Sequence, residues 1–159
     1  VQEIHNYLIS NNLMNHVIDI GGEIIINGNK DGIPWNIGIQ NPLSSVDNAA
    51  TTISNKNNNF LAIATSGEYR NFKLDEYGNK VTHTINPKTL SSIKNKILSV
   101  TVVNEYSATY ADSYATAFNA MGLNRAIEMA NNKNIAIMVI YQNDEAVDII
   151  YSDKWYDFF

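Results

Sequence analysis

Short runs rich in apolar and β-branched residues, bounded by turn residues, recur along most of the chain, which predicts strands. Residues 17–20 and 23–27 read as two strands parted by Gly21-Gly22. Trp35, Ile37 and Ile39 alternate with Asn36, Gly38 and Gln40, and Pro42 closes that run. The turn dipeptides Asn27-Gly28 and Asp31-Gly32 lie between apolar runs, so residues 23–41 are expected to form a hairpin. Further strands are expected at 49–53, 60–65, 81–85, 98–104, 135–141 and 146–151, with Ser66-Gly67 ending the 60–65 strand.

The pattern changes in two places. In residues 2–13, Ile4, Tyr7, Leu8 and Leu13 fall on roughly one helical face. In 107–121, Ala111, Tyr114, Ala115, Phe118 and Met121 keep helical spacing, with Ser107 as N-cap and Gly122 just past the end. A second helix follows at once over 123–131, and an aromatic tail at 154–159 is expected to pack on the body. Hairpins dominate and no strand–helix–strand alternation is present. The expected fold is therefore α+β, with a mainly antiparallel sheet and packed helices.

Composition narrows the function classes. The 159 residues are 45% hydrophobic, suited to one domain with its own core. Eleven Lys and Arg face sixteen Asp and Glu, and a net charge of −5 offers no footprint for nucleic acid. There is no cysteine, which excludes disulfides, thiolate metal sites and a Cys nucleophile. Asn is abundant, most densely at 55–59, and reads as loop chemistry.

Several residues could carry chemistry. Asp112 and Thr116 are four apart on the expected helix 107–121 and so project side by side. A carboxylate and a hydroxyl are hard oxygen ligands of the kind Mg²⁺ takes. Taken alone, the pair is more simply an exposed Asp near the positive end of a helix with a Thr beside it. His83 stands between an extended stretch and Asn86-Pro87, where an imidazole could serve as general base or simply pack. His5 and His16 are read as ordinary packed or surface histidines. Ser66-Gly67 could offer backbone N–H groups to a phosphate or could be a plain turn. Gly21-Gly22 lacks the third glycine of a dinucleotide fingerprint, and no G-x-S-x-G elbow is present.

The order of these pieces is more specific than any one of them. Asp19-Ile20-Gly21-Gly22-Glu23 is followed by the Asp31 to Ile39 run and Pro42. Then come Ala62 to Arg70, His83-Thr84-Ile85-Asn86-Pro87-Lys88-Thr89, Ser99 to Val103, and Ala111-Asp112-Ser113-Tyr114-Ala115-Thr116-Ala117. This collinear set resembles the ApbE family of FAD:protein FMN transferases. The resemblance implies an α+β fold related to the T-fold. It implies Mg²⁺ held by Asp112 and Thr116, with Ala115 standing where some members have a further acidic ligand. His83 would activate the acceptor, and Ser66, Gly67, His83, Thr84 and Ile85 would line the flavin site. The family pattern has Gly where this chain has Leu90.

The implied partners are FAD as substrate and a flavin-carrying protein modified on a Thr or Ser hydroxyl. The alternatives are a flavin-binding or flavin-trafficking module, or a Mg²⁺-dependent hydrolase releasing FMN and AMP. The resemblance also implies that residues 1–159 are the C-terminal part of such a domain. Its N-terminal half, with further flavin contacts and a backbone metal ligand, would lie upstream, in keeping with an opening at Val1-Gln2-Glu3 without Met. Membrane contact would come only through an upstream lipid anchor on the extracytoplasmic face.

Overall fold

Two strands too apolar to face water on either side set the architecture. Ile97–Asn104 and Ala136–Asn143 bury residues of both pleat faces, so each must lie in the middle of a sheet covered twice. The computed structural model describes residues 1–43, 48–57, 59–67, 72–74, 76–78, 80–82, 84–93, 95–144 and 146–158, with backbone alone for 72–74, 80 and 81.

In chain order, α1 is Gln2–Ser10, β1 His16–Ile20, β2 Glu23–Asn27, β3 Asn29–Lys30, β4 Ile33–Pro34, β5 Asn36–Gln40 and β6 Ala49–Ser54. Next come β7 Leu61–Gly67, β8 Phe72–Leu74, β9 Lys80–Thr82, β10 Ile85–Asn86, β11 Ser91–Ser92 and β12 Ile97–Asn104. The chain continues through α2 Ala108–Met121, α3 Leu123–Asn132, β13 Ala136–Asn143, β14 Ala146–Tyr151 and a 3-10 helix, Asp153–Phe158. The main sheet has six strands in the order β1-β2-β7-β12-β13-β14, and every pairing in it is antiparallel. The α+β, antiparallel expectation holds.

The pleat sorts the side chains into two cores. Ala62 and Ala64 of β7, Val100 and Val102 of β12, and Ile137 and Val139 of β13 face the helices. Against them α2 presents Ala108, Ala111, Ala115 and Phe118. Alanines on both sides of this contact let the helix lie close to the sheet. On the other face, Ile63, Val103, Met138 and Ile140 meet Ile39 and Ile53 of the β5–β6 hairpin, with Trp155 and Phe158 of the 3-10 helix. Each fully buried Val or Ile contributes on the order of 1.5–3 kcal/mol of transfer free energy.

Three expectations are corrected. Residues 23–41 do not close on themselves as a hairpin. β2 pairs with β1 through the Gly21-Gly22 turn and with β7, while β5 pairs with β6. The two turn dipeptides are real, but between them they bound only the short β3–β4 ladder. Secondly, Ser66 and Gly67 do not end β7; they belong to it, opposite Val100 and Ser99 of β12. Thirdly, of the apolar face expected on the first helix, only Leu8 packs against the core, together with Val1. Ile4, Tyr7 and Leu13 remain exposed. Among the described residues, no helix is long and apolar enough to cross a membrane.

Candidate functional site

Helix α2 carries the first candidate residues, and its start is fixed from three directions. The Ser107 hydroxyl accepts from the Tyr110 N–H at 3.4 Å. The Asn104 side chain accepts from the N–H groups of Tyr106 and Ser107 at 2.9 and 2.8 Å. Gln2 Oε1, from α1, accepts from the Ala108 N–H at 2.9 Å. Three of the four donors left open at the helix start, those of Ser107, Ala108 and Tyr110, are thus taken up, and the helix register is set.

With Ala111, Ala115 and Phe118 turned into the core, Asp112 and Thr116 are exposed one turn apart on the flank of the helix. No other described residue bonds to either side chain. An exposed carboxylate and a hydroxyl, side by side and uncommitted, fit a hard divalent cation. Mg²⁺ in particular is commonly held by one or two carboxylates, with water and substrate phosphates completing its shell. No cluster of three or more His, Cys, Asp or Glu occurs among the described residues, so any cation here takes most of its shell from elsewhere.

The C-terminal half of α2 meets the end of β7 and the start of β12. Asn119 Nδ2 donates to Ser66 Oγ at 3.3 Å, and Asn95 Nδ2 donates to the Asn119 carbonyl at 2.6 Å. Ser66 and Gly67 are half-buried at this end of the sheet. The β10–β11 hairpin borders the same end. A cleft of about 330 Å³ runs between it and the end of α2, lined by Asn86, Thr89, Ser92, Asn95, Met121 and Gly122 among others. Its walls are mainly polar, while Asp112 and Thr116 lie outside it.

The hairpin itself is tightly bonded. Ile93 N–H donates to the Thr84 carbonyl at 3.1 Å, the Ser92 hydroxyl to the Thr82 carbonyl at 2.9 Å, and Lys88 N–H to Asn86 Oδ1 at 2.9 Å. Thr84 is buried, whereas Ile85 next to it is 50% exposed and offers an apolar surface at the edge. Leu90 closes the turn with φ of +55°, and its N–H donates to the Asn86 carbonyl at 2.8 Å. Leucine here takes the left-handed conformation that glycine adopts freely. At Leu90 the backbone therefore keeps the path a glycine would follow.

His83, the expected base, lies outside the described residues. The structure thus joins Ser66 to the C-terminal end of α2 through Asn119, while Thr84 and Ile85 belong to the hairpin that borders the same end and Asp112 and Thr116 stand one to two turns earlier on the helix. Sequence reasoning missed Asn119 and Asn95, which tie these pieces together. The available signal was a polar residue seven positions after Asp112 on a helix otherwise apolar at that depth.

The sequence matches the ApbE family over residues 1–139. It is 37% identical over 146 residues to a Vibrio cholerae protein named FAD:protein FMN transferase, covering 91% of this chain and 42% of that one. A Haemophilus influenzae protein of the same name is 34% identical over 145 residues, covering 91% and 41%. The chain therefore spans about two fifths of the length of these curated relatives. Among solved structures, the flavin transferase ApbE from Vibrio cholerae superposes with a TM-score of 0.82 at 32% identity, covering 100% of this chain and 49% of that one. The apo flavinyl transferase ApbE from Pseudomonas stutzeri gives 0.84 at 24% identity, covering 100% and 48%, a likeness of fold.

Proposed function

This chain belongs to the ApbE family, and from that premise we propose that the protein is an FAD:protein FMN transferase. The reaction moves FMN from FAD to a Thr or Ser hydroxyl of a flavin-carrying protein and releases AMP. The hydroxyl oxygen attacks the FMN-side phosphorus of the pyrophosphate. The bond from that phosphorus to the bridging oxygen breaks, and the bridging oxygen leaves with AMP. The observation that carries this reading is the uncommitted Asp112–Thr116 pair on the flank of α2, in a chain so similar to proteins of that name.

Each residue has a part in the reading. Asp112 and Thr116 would hold Mg²⁺, which when bound supplies neutralising charge at the pyrophosphate. His83 takes the proton of the acceptor hydroxyl, a role that needs a base within hydrogen-bond reach. Ser66, Gly67 and Thr84 border the nucleotide, and exposed Ile85 offers its side chain to the flavin ring. The reading includes a place on the outer face of the cytoplasmic membrane, held by a lipid anchor, and this rests on the family resemblance alone.

The test uses the protein as its gene encodes it, mixed with FAD, Mg²⁺ and an acceptor protein bearing the target Thr or Ser. Covalent flavin fluorescence in the acceptor band, with one AMP released per label, is the expected result. Free FMN with an unlabelled acceptor would instead make the protein a hydrolase. FAD bound but chemically unchanged would make it a flavin-binding module.

A further inference from the structure

Asn119 has no part in the reaction as described, yet it is fully buried near the C-terminal end of α2. An amide at such a position costs free energy unless it is hydrogen-bonded. It follows Thr116 by three residues and Asp112 by seven, so the three side chains form one stripe along the helix. Asp112 and Thr116 are the exposed members of that stripe, and Asn119 is the buried one.

Its bonds run toward the site. Nδ2 donates to Ser66 Oγ at 3.3 Å, across 53 positions of the chain. The backbone carbonyl of Asn119 takes the Asn95 side-chain amide at 2.6 Å, and Asn95 Oδ1 in turn accepts from the Ile97 N–H at 2.9 Å. The polarity of the first bond matters. With Nδ2 facing Ser66, the amide donates and Ser66 Oγ accepts. The Ser66 hydroxyl hydrogen is then turned away from Asn119, and no described residue accepts it. A half-buried hydroxyl with its oxygen occupied and its hydrogen free can donate to an anionic oxygen.

We propose that Asn119 is a positioning residue for the nucleotide substrate: its buried amide fixes the Ser66 hydroxyl as a hydrogen-bond donor to a pyrophosphate oxygen of FAD. This rests on the reading of Ser66 as part of the flavin nucleotide site. The residue acts through Ser66 and touches no substrate itself.

The experiment is a double-mutant cycle on FAD affinity, measured by flavin fluorescence in the intact protein with Mg²⁺ present. Asn119→Leu keeps the volume and removes the donor, while Ser66→Ala removes the hydroxyl at the less buried end of the pair. Each single variant should weaken FAD binding about tenfold, the range expected for one hydrogen bond to a charged group. The double variant should be no weaker than either single one, because both remove the same interaction. A purely structural role for Asn119 would make the two effects add, and additivity would overturn the proposal. Wild-type affinity in Ser66→Ala would overturn it too, whether or not Asn119→Leu folds. Wild-type protein that fails to bind FAD would overturn the functional reading itself, and this inference with it.

Discussion

His5 Nδ1 lies 2.9 Å from His16 Nε2, and the second bond of His16 decides where the protons sit. His16 Nδ1 is 2.8 Å from the Leu13 carbonyl, which can only accept, so that nitrogen carries a hydrogen. In the neutral pair His16 Nε2 is then the acceptor and His5 Nδ1 the donor. The His5 ring also meets the Phe60 ring edge-on at 4.8 Å, so the contact docks α1 beside the sheet. Protonating both rings sets two N–H groups against each other.

That pair makes stability depend on pH in a defined direction. Partial burial, and then the neighbouring His16, hold the His5 pKa below its ordinary 6.5. Below that value the unfolded chain binds a proton at His5 more readily than the folded one. Stability is therefore fully present above it and is lost as pH falls toward the folded-state value. Thermal melts from about pH 7.5 to about pH 5.5 span the range where imidazoles titrate. Across it the wild-type midpoint should fall relative to that of His5→Phe. A gap between the two that stays constant with pH would contradict the assignment.

Asp112 and Thr116 can be separated from stability because both are exposed. Asp112→Asn should change the unfolding free energy by no more than about 0.5 kcal/mol, as surface substitutions usually do. The same variant should lower Mg²⁺-dependent FMN transfer by about a hundredfold or more, the scale of lost charge stabilisation in a transition state. Near-normal transfer at ordinary Mg²⁺ concentrations would remove Asp112 from the metal site proposed above.

Leu90 is a site where a substitution should stabilise. Its side chain is 82% exposed and its φ is +55°. The left-handed conformation costs a non-glycine residue roughly 1–2 kcal/mol, against about 0.5–1 kcal/mol for the extra freedom of glycine when unfolded. Leu90→Gly should therefore gain about 0.5–1 kcal/mol in urea denaturation, with an unchanged slope. A loss would mean that the leucine side chain holds the hairpin in some other way.

Gly28 should behave in the opposite sense. Its φ is +65°, and a Cβ there would meet the Asn15 side chain and come within 2.8 Å of the Met14 carbonyl. The same loop is held by Asn27 Nδ2 donating to the Met14 carbonyl at 2.6 Å and Asn55 Nδ2 donating to the Gly28 carbonyl at 2.8 Å. Gly28→Ala should cost about 1–3 kcal/mol, measured by denaturation, from strain and overpacking together.

What could be read from the sequence was whatever the chain decides locally. The α2 helix was legible because Ser107 caps it, Gly122 ends it, and Ala111, Ala115 and Phe118 mark one face. The β1–β2 turn was legible from Gly21-Gly22. Pairing between distant segments was not. Asn27-Gly28 and Asp31-Gly32 announce turns, but the partners of β2 and β5 lie beyond them, in β7 and β6. The candidate site divides in the same way. Asp112 and Thr116 share a helix turn, so their spacing alone placed them together. Asn119 gains its meaning from Ser66, 53 positions away, and no periodicity reports such a contact.

The bond from the Ala108 N–H to Gln2 Oε1 joins residues 106 positions apart. Before it can form, a long loop must close, and the entropy of that closure is lost before the bond returns anything. Contacts of this kind tend to form after the rate-limiting step of folding. Their loss then leaves the folding rate nearly unchanged and speeds unfolding. The helix that bears Asp112 and Thr116 is thus clasped by a contact that spans most of the chain. Gln2→Ala is expected to shorten the life of the folded protein while leaving the rate at which it forms nearly unchanged.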